Sequence, residues 1–382
     1  MSAPRVLVAG AVLGQPMGGV RRHNAELLPR LARLLDERGG GLAVLEGKER
    51  IPFELPAPIE RLSSRVPASP PFARGVHETG ALRAALAEAR ARGTPFDLVH
   101  TAHLPVPRAL GVPLTLTIHD LRAIHGDVST LARRFVAAHA LRDAARGAQA
   151  FFTVSESTRA AIVEHLGVPR ELVHVVPNAA DHFEPLPRVI CAGHPTLGSS
   201  GPDARGARDA LLCLGHLEPR KNLALVLHAL AHDRALPRVV FAGAAKSRHA
   251  EELDTLARSL GVRERVTFAG PFEDGDLARL YATCAAVVLP SQLEGFGIVA
   301  LEAQRARAPL AIARIPALVE VAGADVPSFA PDDPVECARA LRRTLLRDSN
   351  ALDLDARNAA RFTWDASARA WCDALCALHG AA

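Results

Sequence analysis

The stretch AAVVLPSQLEGFGIVALEA, residues 285–303, decides the fold of the second half of the chain. It opens with a short apolar run that ends in proline, a pattern typical of a buried strand. Gly295 and Gly297 then allow a tight turn before a helical stretch that starts near Ile298. The start of a helix favours an anion, because its amides are unpaired and the helix dipole is positive there. We therefore expect the amides of Phe296, Gly297 and Ile298 to contact a phosphate.

The same alternation of strand and helix is found on either side of this stretch. Apolar and β-branched runs predict strands at 5–10, 41–45, 97–100, 114–118, 151–154, 173–176, 211–215, 239–242, 266–269, 286–289 and 310–313. Helical stretches fill most of the gaps, which is the order of a parallel sheet covered by helices. A chain of 382 residues also exceeds what one hydrophobic core usually supports. The sequence predicts an α/β protein of two Rossmann-like domains with a cleft between them.

The boundary between these domains is predicted from a change in composition. Residues 184–206 are rich in proline and glycine and lack an apolar period. We predict a first domain at 1–190, a second at 207–362 and a C-terminal helical segment at 363–382, which in such an architecture usually crosses back to the first domain. Residues 52–71 are proline-rich as well, and we interpret them as a long surface loop where an acceptor is recognised.

Composition excludes several classes of protein. Hydrophobic residues make up 49% and charged residues 23%, and no apolar run approaches the roughly 20 residues that cross a bilayer, so we expect a cytoplasmic protein. The six cysteines are scattered without a C-x-x-C pair, which favours reduced thiols over a zinc site. The net charge of +4 is small for a nucleic-acid-binding protein, and one tyrosine and two tryptophans offer few aromatic rings on which bases could stack. We therefore do not expect a nucleic-acid partner.

Two carboxylates belong to the opening stretch. Glu302 lies about one turn inside the predicted helix, where it can accept both hydroxyls of a ribose diol, and Glu294 on the loop can reach a sugar hydroxyl. Two isolated glutamates would more often be structural residues. The full string, with the second glutamate at the eighth position after the first, is specific enough to reverse that preference.

A second segment, LGHLEPRKNLALVLHAL at residues 214–230, carries fixed positive charge at a turn between a strand and a helix. A diphosphate leaving group has about two to three negative charges, which cations must meet where no metal does. Arg220 and Lys221 are suited to that task, and His216 precedes them on the same turn. Alone, such a pair at a helix start is usually a solvated surface patch.

Together these segments resemble the retaining glycosyltransferases of family 4. The carboxylate string matches the E-x7-E signature of that family, and the turn matches its G-x-L-x-x-x-K-N pattern. LTIHDLR at 116–122 and MGGVRRHN at 17–24 are similar as well, so that the resemblance spans nearly the whole chain. It implies the GT-B fold, with two Rossmann-like domains facing across a cleft, and transfer of a hexose from a nucleoside diphosphate sugar with retention of configuration.

The resemblance also implies roles for individual residues. His119 is expected to contact the donor sugar, Gly18 and Gly19 to lie in a loop near the donor phosphate and the acceptor, and Phe272 to lie near the nucleotide base. The residues assigned to catalysis are His119, Glu294, Lys221 and Arg220. The residues assigned to donor binding are Gly18, Gly19, His216, Phe272, Gly295, Phe296, Gly297, Ile298 and Glu302.

Two features bear on how the diphosphate is held. His216 stands where many family members carry an arginine, so that either Arg220 takes over that contact or phosphate binding is weaker than usual. EDGD at 273–276 resembles a metal-binding D-x-D, but Asp274 is placed to cap the helix that follows. We therefore predict no metal and no cofactor beyond the nucleotide-sugar substrate.

Three alternatives remain open at this point. An NAD-dependent oxidoreductase would explain the first strand, its glycine-bearing loop and Glu46, but the spacing of Gly10, Gly14, Gly18 and Gly19 is not G-x-G-x-x-G. A catalytically silent GT-B subunit that binds a partner is the second alternative, and the intact acids, Arg-Lys pair and His119 argue against it. A sugar-nucleotide epimerase shares the fold but is not expected to carry the E-x7-E string.

The choice of donor and acceptor follows from resemblance alone. The EPRKN turn and the IHD segment are closest to mannosyltransferase-like members, which favours GDP-mannose narrowly over UDP-glucose, with a glycan or lipid-linked acceptor in cell-surface polysaccharide or lipopolysaccharide assembly. The helix predicted at 20–37 carries four arginines beside leucines, which allows peripheral contact with the inner face of the membrane. Ordinary packing of this helix on the sheet is the interpretation we favour.

Overall fold

The computed structural model of the protein describes residues 3–15, 18–122, 131–188, 209–246 and 248–381. The chain divides into two compact units, one made of Met1–Asn178 with Thr363–Ala382 and one made of Ala179–Phe362. The division between Asn178 and Ala179 falls earlier in the chain than the boundary drawn from composition. The linker predicted between the domains, 191–206, lies outside the described residues.

The N-terminal unit is built on a parallel sheet. Its strands are β1 (Arg5–Ala9), β2 (Gly41–Glu46), β3 (Glu60–Ser63), β4 (Leu98–Thr101), β5 (Leu114–Ile118), β6 (Ala150–Thr153) and β7 (Val173–Val175). The order across the sheet is β3-β2-β1-β4-β5-β6-β7, and neighbouring strands are parallel. The central strands are buried along their length, as expected for a parallel sheet covered on both faces.

Strand β3 corrects one sequence-based interpretation. It lies inside the proline-rich segment that we interpreted as a surface loop without regular structure, and it pairs with β2 at the edge of the sheet. Ile59, Val66 and Ala68 of the same segment are buried in the core. The strand was missed because it is only four residues long and flanked by prolines, so its period is too short to detect.

Within the described residues of this unit, four α-helices precede residue 363. They are α1 (Gly18–Glu37), α2 (Pro71–Ala91), α3 (Leu131–Gly147) and α4 (Glu156–Leu166). The limits of α4 follow from its sequence: the Ser155 hydroxyl accepts the Thr158 amide at 3.1 Å at the start, and Gly167 ends it with a φ of 68°. Gly18 and Gly19, expected in a loop, form the first turn of α1 instead.

The C-terminal unit holds the second parallel sheet. Its strands are β8 (Leu211–Leu214), β9 (Val239–Ala242), β10 (Val266–Gly270), β11 (Ala286–Leu289), β12 (Leu310–Ala313) and β13 (Ser328–Phe329). They are arranged in the order β10-β9-β8-β11-β12-β13. The helices are α5 (Leu223–His232), α6 (His249–Ser259), α7 (Leu277–Thr283), α8 (Ile298–Arg305), α9 (Pro316–Ala322), α10 (Pro334–Leu345) and α11 (Ser349–Ala359). The start of α8 agrees with the prediction at Ile298.

The last helix, α12 (Trp364–Ala381), belongs to the N-terminal unit. It packs against α1, and the pair is joined by Arg30–Asp365 and Arg38–Asp373 contacts of 2.9 and 2.7 Å. Four of the five leucines of α1 are buried in the unit, namely Leu27, Leu28, Leu31 and Leu35, and Leu34 is partly exposed. Helix α1 thus packs on the unit through its apolar side. Among the described helices, none combines the length and the apolar character needed to cross a bilayer.

Candidate functional site

The C-terminal sheet has a topological switch point. Strand β8 has β9 on one side and β11 on the other, so the connections that leave β8 and β11 run to opposite sides of the sheet. In open parallel sheets, ligands bind outside the carboxyl ends of the strands at such a point. The two segments that begin there are 215–222 and 290–297, the two that the sequence singled out.

The first segment is held in place by its own backbone and by Asn222. Residues Pro219–Lys221 form a 3-10 turn, and Asn222 adopts the left-handed conformation at the start of α5 with a φ of 54°. Its side-chain amide donates to the carbonyls of Pro290 and Pro331 at 3.1 and 2.7 Å. The Gln292 amide in turn donates to the Arg220 carbonyl at 2.9 Å. The two segments are therefore fixed to each other.

Gly243, which follows β9, allows this packing. It has a φ of 151°, and a Cβ atom placed on it would lie 1.9 Å from the Gly215 carbonyl oxygen. Any side chain at Gly243 would displace the backbone at the start of the 215–222 segment. The closeness of these two loops depends on a glycine that the sequence analysis did not single out.

Glu294 is the centre of an ion network at the switch point. Its carboxylate accepts the Lys221 ammonium at 2.6 Å, the Arg220 guanidinium at 3.1 Å and the Ser291 hydroxyl at 2.8 Å. Arg220 also donates to the Leu293 carbonyl at 3.1 Å. The Glu294 side chain is only 9% exposed, so these contacts replace its hydration. The structure thus brings together three of the four residues predicted to act in catalysis.

The charge state of Glu294 follows from its neighbours. Burial alone would raise the pKa of its carboxyl, but the adjacent Lys221 and Arg220 outweigh burial and lower that pKa to about 2. Glu294 is therefore ionised throughout the physiological pH range. An ionised carboxylate accepts hydrogen bonds and cannot act as a general acid.

A second carboxylate extends the network. Glu218 lies 2.6 Å from Arg220 and 2.6 Å from Lys246, which follows β9. Three cations and two carboxylates therefore meet at this point, with one positive charge in excess. Neither Glu218 nor Lys246 was predicted from the sequence. Lys246 lies far along the chain from the motif, and only the parallel pairing of β8 with β9 brings it close.

His216 lies at the same place and is half-buried. Burial comes first among the causes that lower its pKa, followed by the cations Lys246, Lys221 and Arg220, whose effect Glu218 only partly offsets. The imidazole is therefore mostly neutral at pH 7, unlike the arginine that stands there in many family members. His216, Lys221 and Ser291 line a small pocket together with apolar residues at the ends of β8 and β11.

Glu302 has different surroundings from Glu294. It lies on α8, its side chain is 7% exposed, and its two oxygens face two different partners. The Tyr281 hydroxyl donates to Oε2 at 2.6 Å, and His182 Nε2 lies 3.1 Å from Oε1. The sequence analysis predicted neither partner. Tyr281 occupies a position of α7 where an apolar core residue is expected, and His182 lies in a segment without regular secondary structure.

The turn before α8 depends on the backbone of Gly297. Gly297 has a φ of 89° and caps α8 without a side-chain hydrogen bond. Phe296 is buried and packs edge-on against Phe362 with ring centroids 5.9 Å apart, so only its backbone remains for a ligand. Gly295 and Ile298 flank these two residues. Phe272, predicted near the base, is partly buried against the core after β10.

The acidic segment EDGD is a helix start in the structure. Asp276 occupies the N-cap position of α7 without a side-chain capping hydrogen bond, and Arg279 donates to its carboxylate at 3.1 Å. The side chain of Asp274, which was predicted to cap this helix, lies outside the described residues. In the described ranges, no group of three or more His, Cys, Asp or Glu side chains is placed to hold a metal ion.

The residues predicted in the N-terminal unit lie at the ends of other elements. His119 follows β5 and packs edge-on against His23 at 4.7 Å between ring centroids. Its Nε2 is buried and has no hydrogen-bond partner among the described residues. Gly18 and Gly19 are exposed at the start of α1. Glu46, which an oxidoreductase would use for ribose, binds Arg61 of β3 at 2.8 and 2.9 Å.

Comparison with known proteins identifies the family. The family described as Glycosyl transferases group 1 matches residues 202–361, and Glycosyltransferase Family 4 matches residues 17–182. A D-inositol 3-phosphate glycosyltransferase from Kineococcus radiotolerans is 30% identical over 323 residues, which cover 74% of this chain and 72% of that protein. The chain belongs to glycosyltransferase family 4. The oxidoreductase and epimerase alternatives are thereby removed.

Another sequence relative and two solved structures are also similar to this chain. The serotype-specific mannosyltransferase WbdA from Escherichia coli is 30% identical over 230 residues, which cover 57% of this chain, and the chain spans about a quarter of the length of WbdA (27%). Sucrose-phosphate synthase from Thermosynechococcus elongatus has a TM-score of 0.75 at 18% identity with all of both chains covered. HepE from Anabaena, solved with UDP and glucose, has a TM-score of 0.62 at 21% identity, covering 97% of this chain and 99% of HepE. The fold is GT-B, as predicted.

Proposed function

We propose that the protein transfers a hexose from a nucleoside diphosphate sugar to a glycan or lipid-linked acceptor, with retention of configuration and without a divalent metal. The observation that carries this proposal is the contact of Lys221 and Arg220 with Glu294 at the switch point of the C-terminal sheet. It joins the two motifs that the family shares and places cations beside a carboxylate.

The charges of the network suit a diphosphate. The excess positive charge attracts an anion, and Lys221 and Arg220 can exchange the Glu294 carboxylate for phosphate oxygens, which carry more charge. The amides at the start of α8 add neutral donors on the neighbouring segment. In this role the fixed cations stabilise the departing diphosphate as its bond to the sugar breaks.

Glu294 then acts on the sugar and not on the phosphate. Once Lys221 and Arg220 bind the diphosphate, the ionised carboxylate is available to accept sugar hydroxyls. His119 would contact the sugar from the N-terminal unit, and Glu302 would accept the ribose hydroxyls. These assignments extend the family resemblance residue by residue.

The reaction that we propose needs no further reactant. The bond between the anomeric carbon and the diphosphate oxygen breaks, and the acceptor oxygen bonds to the same face of that carbon. The acceptor proton passes to the departing phosphate, which serves as the base. Arg220 and Lys221 stabilise the negative charge that develops on that phosphate.

Transfer is expected to continue in the presence of excess EDTA at more than half of the rate without it, because fixed cations meet the diphosphate charge. The measurement is product formation from GDP-mannose and from UDP-glucose, with the anomeric configuration of the product determined by NMR. A complete loss of transfer that magnesium restores would contradict metal independence, and an inverted product would contradict retention.

The preference of the protein for one nucleotide base is expected to appear as a difference in Tm shift when GDP, UDP, ADP and CDP are compared. A ligand at 100 times its Kd stabilises the folded state by about 2.7 kcal/mol, which moves Tm by several degrees. We expect GDP to give the largest shift, in keeping with the likeness to WbdA. The likeness to HepE supports the opposite choice, and a shift by UDP with none by GDP would overturn ours.

The silent-subunit alternative predicts a different outcome of the same panel. It requires that none of the four nucleotides raises Tm. The intact contact between Lys221 and Glu294 argues against it, because a chain that has lost catalysis has no need to retain a buried ion pair at this point.

A further inference from the structure

Among the described residues, the hydroxyl of Tyr281 has one hydrogen-bond partner, the Glu302 carboxylate. Tyr281 lies on α7 with no exposed surface, and its hydroxyl donates to Glu302 Oε2 at 2.6 Å. Burial raises the pKa of this phenol well above its ordinary value, and the Glu302 carboxylate raises it further. The hydroxyl therefore remains a neutral donor at every pH at which the protein is used.

His182 approaches the other oxygen of the same carboxylate. Its side chain is 1% exposed, and Nε2 lies 3.1 Å from Glu302 Oε1. The segment that carries it is fastened to α8, because the Arg305 guanidinium donates to the Phe183 carbonyl at 3.0 Å. Phe183 also stacks near the Tyr281 ring at 6.0 Å. Both partners of Glu302 thus stand on a rigid frame within one unit.

A hydrogen bond to one oxygen and a buried imidazole 3.1 Å from the other restrict the rotation of the Glu302 carboxylate. Glu302 has three side-chain torsions, and without partners it would populate several orientations at a cost in binding free energy. A carboxylate has about four lone-pair sites, so Tyr281 and His182 leave sites on both oxygens for further donors. A diol that presents two hydroxyls needs such a carboxylate, fixed in one orientation.

We propose that Tyr281 and His182 are positioning residues that hold the Glu302 carboxylate for the ribose hydroxyls of the donor, and that they thereby set selectivity for ribonucleotides over 2′-deoxyribonucleotides. This inference rests on the proposed function, in which the C-terminal unit binds a nucleoside diphosphate sugar. It adds two residues, neither of which lies in the E-x7-E string, to the machinery that recognises the nucleotide.

The test compares ribonucleotide and deoxyribonucleotide binding in matched variants. Isothermal titration calorimetry gives Kd for GDP, UDP, 2′-deoxy-GDP and 2′-deoxy-UDP. The variants are then measured with the ribonucleotide that binds the wild type more tightly and with its 2′-deoxy form. In the wild type we expect the deoxy form to bind at least about tenfold more weakly, since a buried acceptor loses its donor. In Tyr281→Phe, the ratio of the two Kd values is expected to fall below about threefold.

A merely structural role for the Tyr281 hydroxyl would weaken both nucleotides equally and leave the ratio unchanged. The matched control is Thr344→Val, which removes another fully buried hydroxyl of the same unit that donates to the Ala340 carbonyl at 2.9 Å. This control is expected to keep the wild-type ratio. His182→Leu is expected to lower the ratio as Tyr281→Phe does, and His182→Gln, which retains a donor, to restore most of it.

The outcomes separate the inference from the function on which it rests. A wild-type preference for the ribonucleotide that persists in both Tyr281→Phe and His182→Leu overturns the positioning role and leaves the donor site standing. A wild type that binds neither GDP nor UDP, or that does not distinguish ribose from deoxyribose, overturns the ribose contact and the inference together. If Tyr281→Phe unfolds, the ratio in the His182 variants decides in the same way.

Discussion

Replacement of Lys221 by alanine is expected to lower kcat/KM for the donor about 100-fold, a loss of about 2.7 kcal/mol in the transition state. Lys221 donates to Glu294 at 2.6 Å in the structure, and we assign it to the diphosphate during catalysis. Its loss has two consequences, since it removes a charge from the leaving group and deprives a buried carboxylate of its nearest cation. The pKa of Glu294, held at about 2, will then rise.

The measurement is steady-state kinetics over a range of donor concentrations for Lys221→Ala, Lys221→Arg and Lys48→Ala. Lys48 is exposed in the N-terminal unit, so Lys48→Ala loses the same charge away from the site and should keep wild-type kinetics. Lys221→Arg should retain more activity than the alanine variant. Wild-type kcat/KM in Lys221→Ala at subsaturating donor would show that the assignment of this residue is wrong.

Acid is expected to destabilise the N-terminal unit by about 5 kcal/mol between pH 7 and pH 5. Three buried histidines account for this effect: His23, His100 and His119. Burial is the main cause that lowers their pKa values, to about 3, 3 and 4. Repulsion among the three rings comes next, and His103 and Arg122 contribute as well. His23 Nδ1 donates to the side-chain oxygen of Asn178 at 2.8 Å, and His100 is hydrogen-bonded to Thr115 and Thr117.

The sign follows from proton linkage. The unfolded chain binds protons at these histidines below a pKa of about 6.5, whereas the folded unit does not until pH falls to about 4 or below. The free energy of unfolding therefore decreases as pH falls below about 6.5. Each histidine contributes slightly less than about 2 kcal/mol between pH 7 and pH 5, so that three give a total on the order of 5 kcal/mol.

Tryptophan fluorescence isolates this effect in one unit. The two tryptophans of the chain, Trp364 and Trp371, both belong to α12, and Trp371 lies 4.9 Å from the His100 ring and 6.2 Å from the His23 ring. Urea unfolding followed at pH 7, 6 and 5 should show a falling midpoint. His100→Gln should reduce this dependence on pH, and His77→Gln, at an exposed position, should not. A midpoint that is independent of pH would contradict the prediction.

The local sequence determined the elements on which the site stands. The apolar runs before Gly215 and Pro290 predicted β8 and β11, and the glycines after Glu294 predicted the start of α8. These features depend on residues that are neighbours along the chain, where the period of apolar side chains and the freedom of glycine act directly. The eight-residue spacing of Glu294 and Glu302 also sufficed to indicate the family, because a loop and one helical turn fix it.

The tertiary structure decided which of these residues meet. Lys221 and Glu294 are far apart in sequence, and they come together because β8 and β11 are neighbours in the sheet, an order that no local pattern encodes. The same holds for Lys246 beside Glu218 and for Tyr281 and His182 around Glu302. Strand β3 was missed for a related reason, since its four residues are stabilised by pairing with β2 more than by their own pattern. Contacts between distant segments depend on strand order and packing, and those are properties of the folded chain.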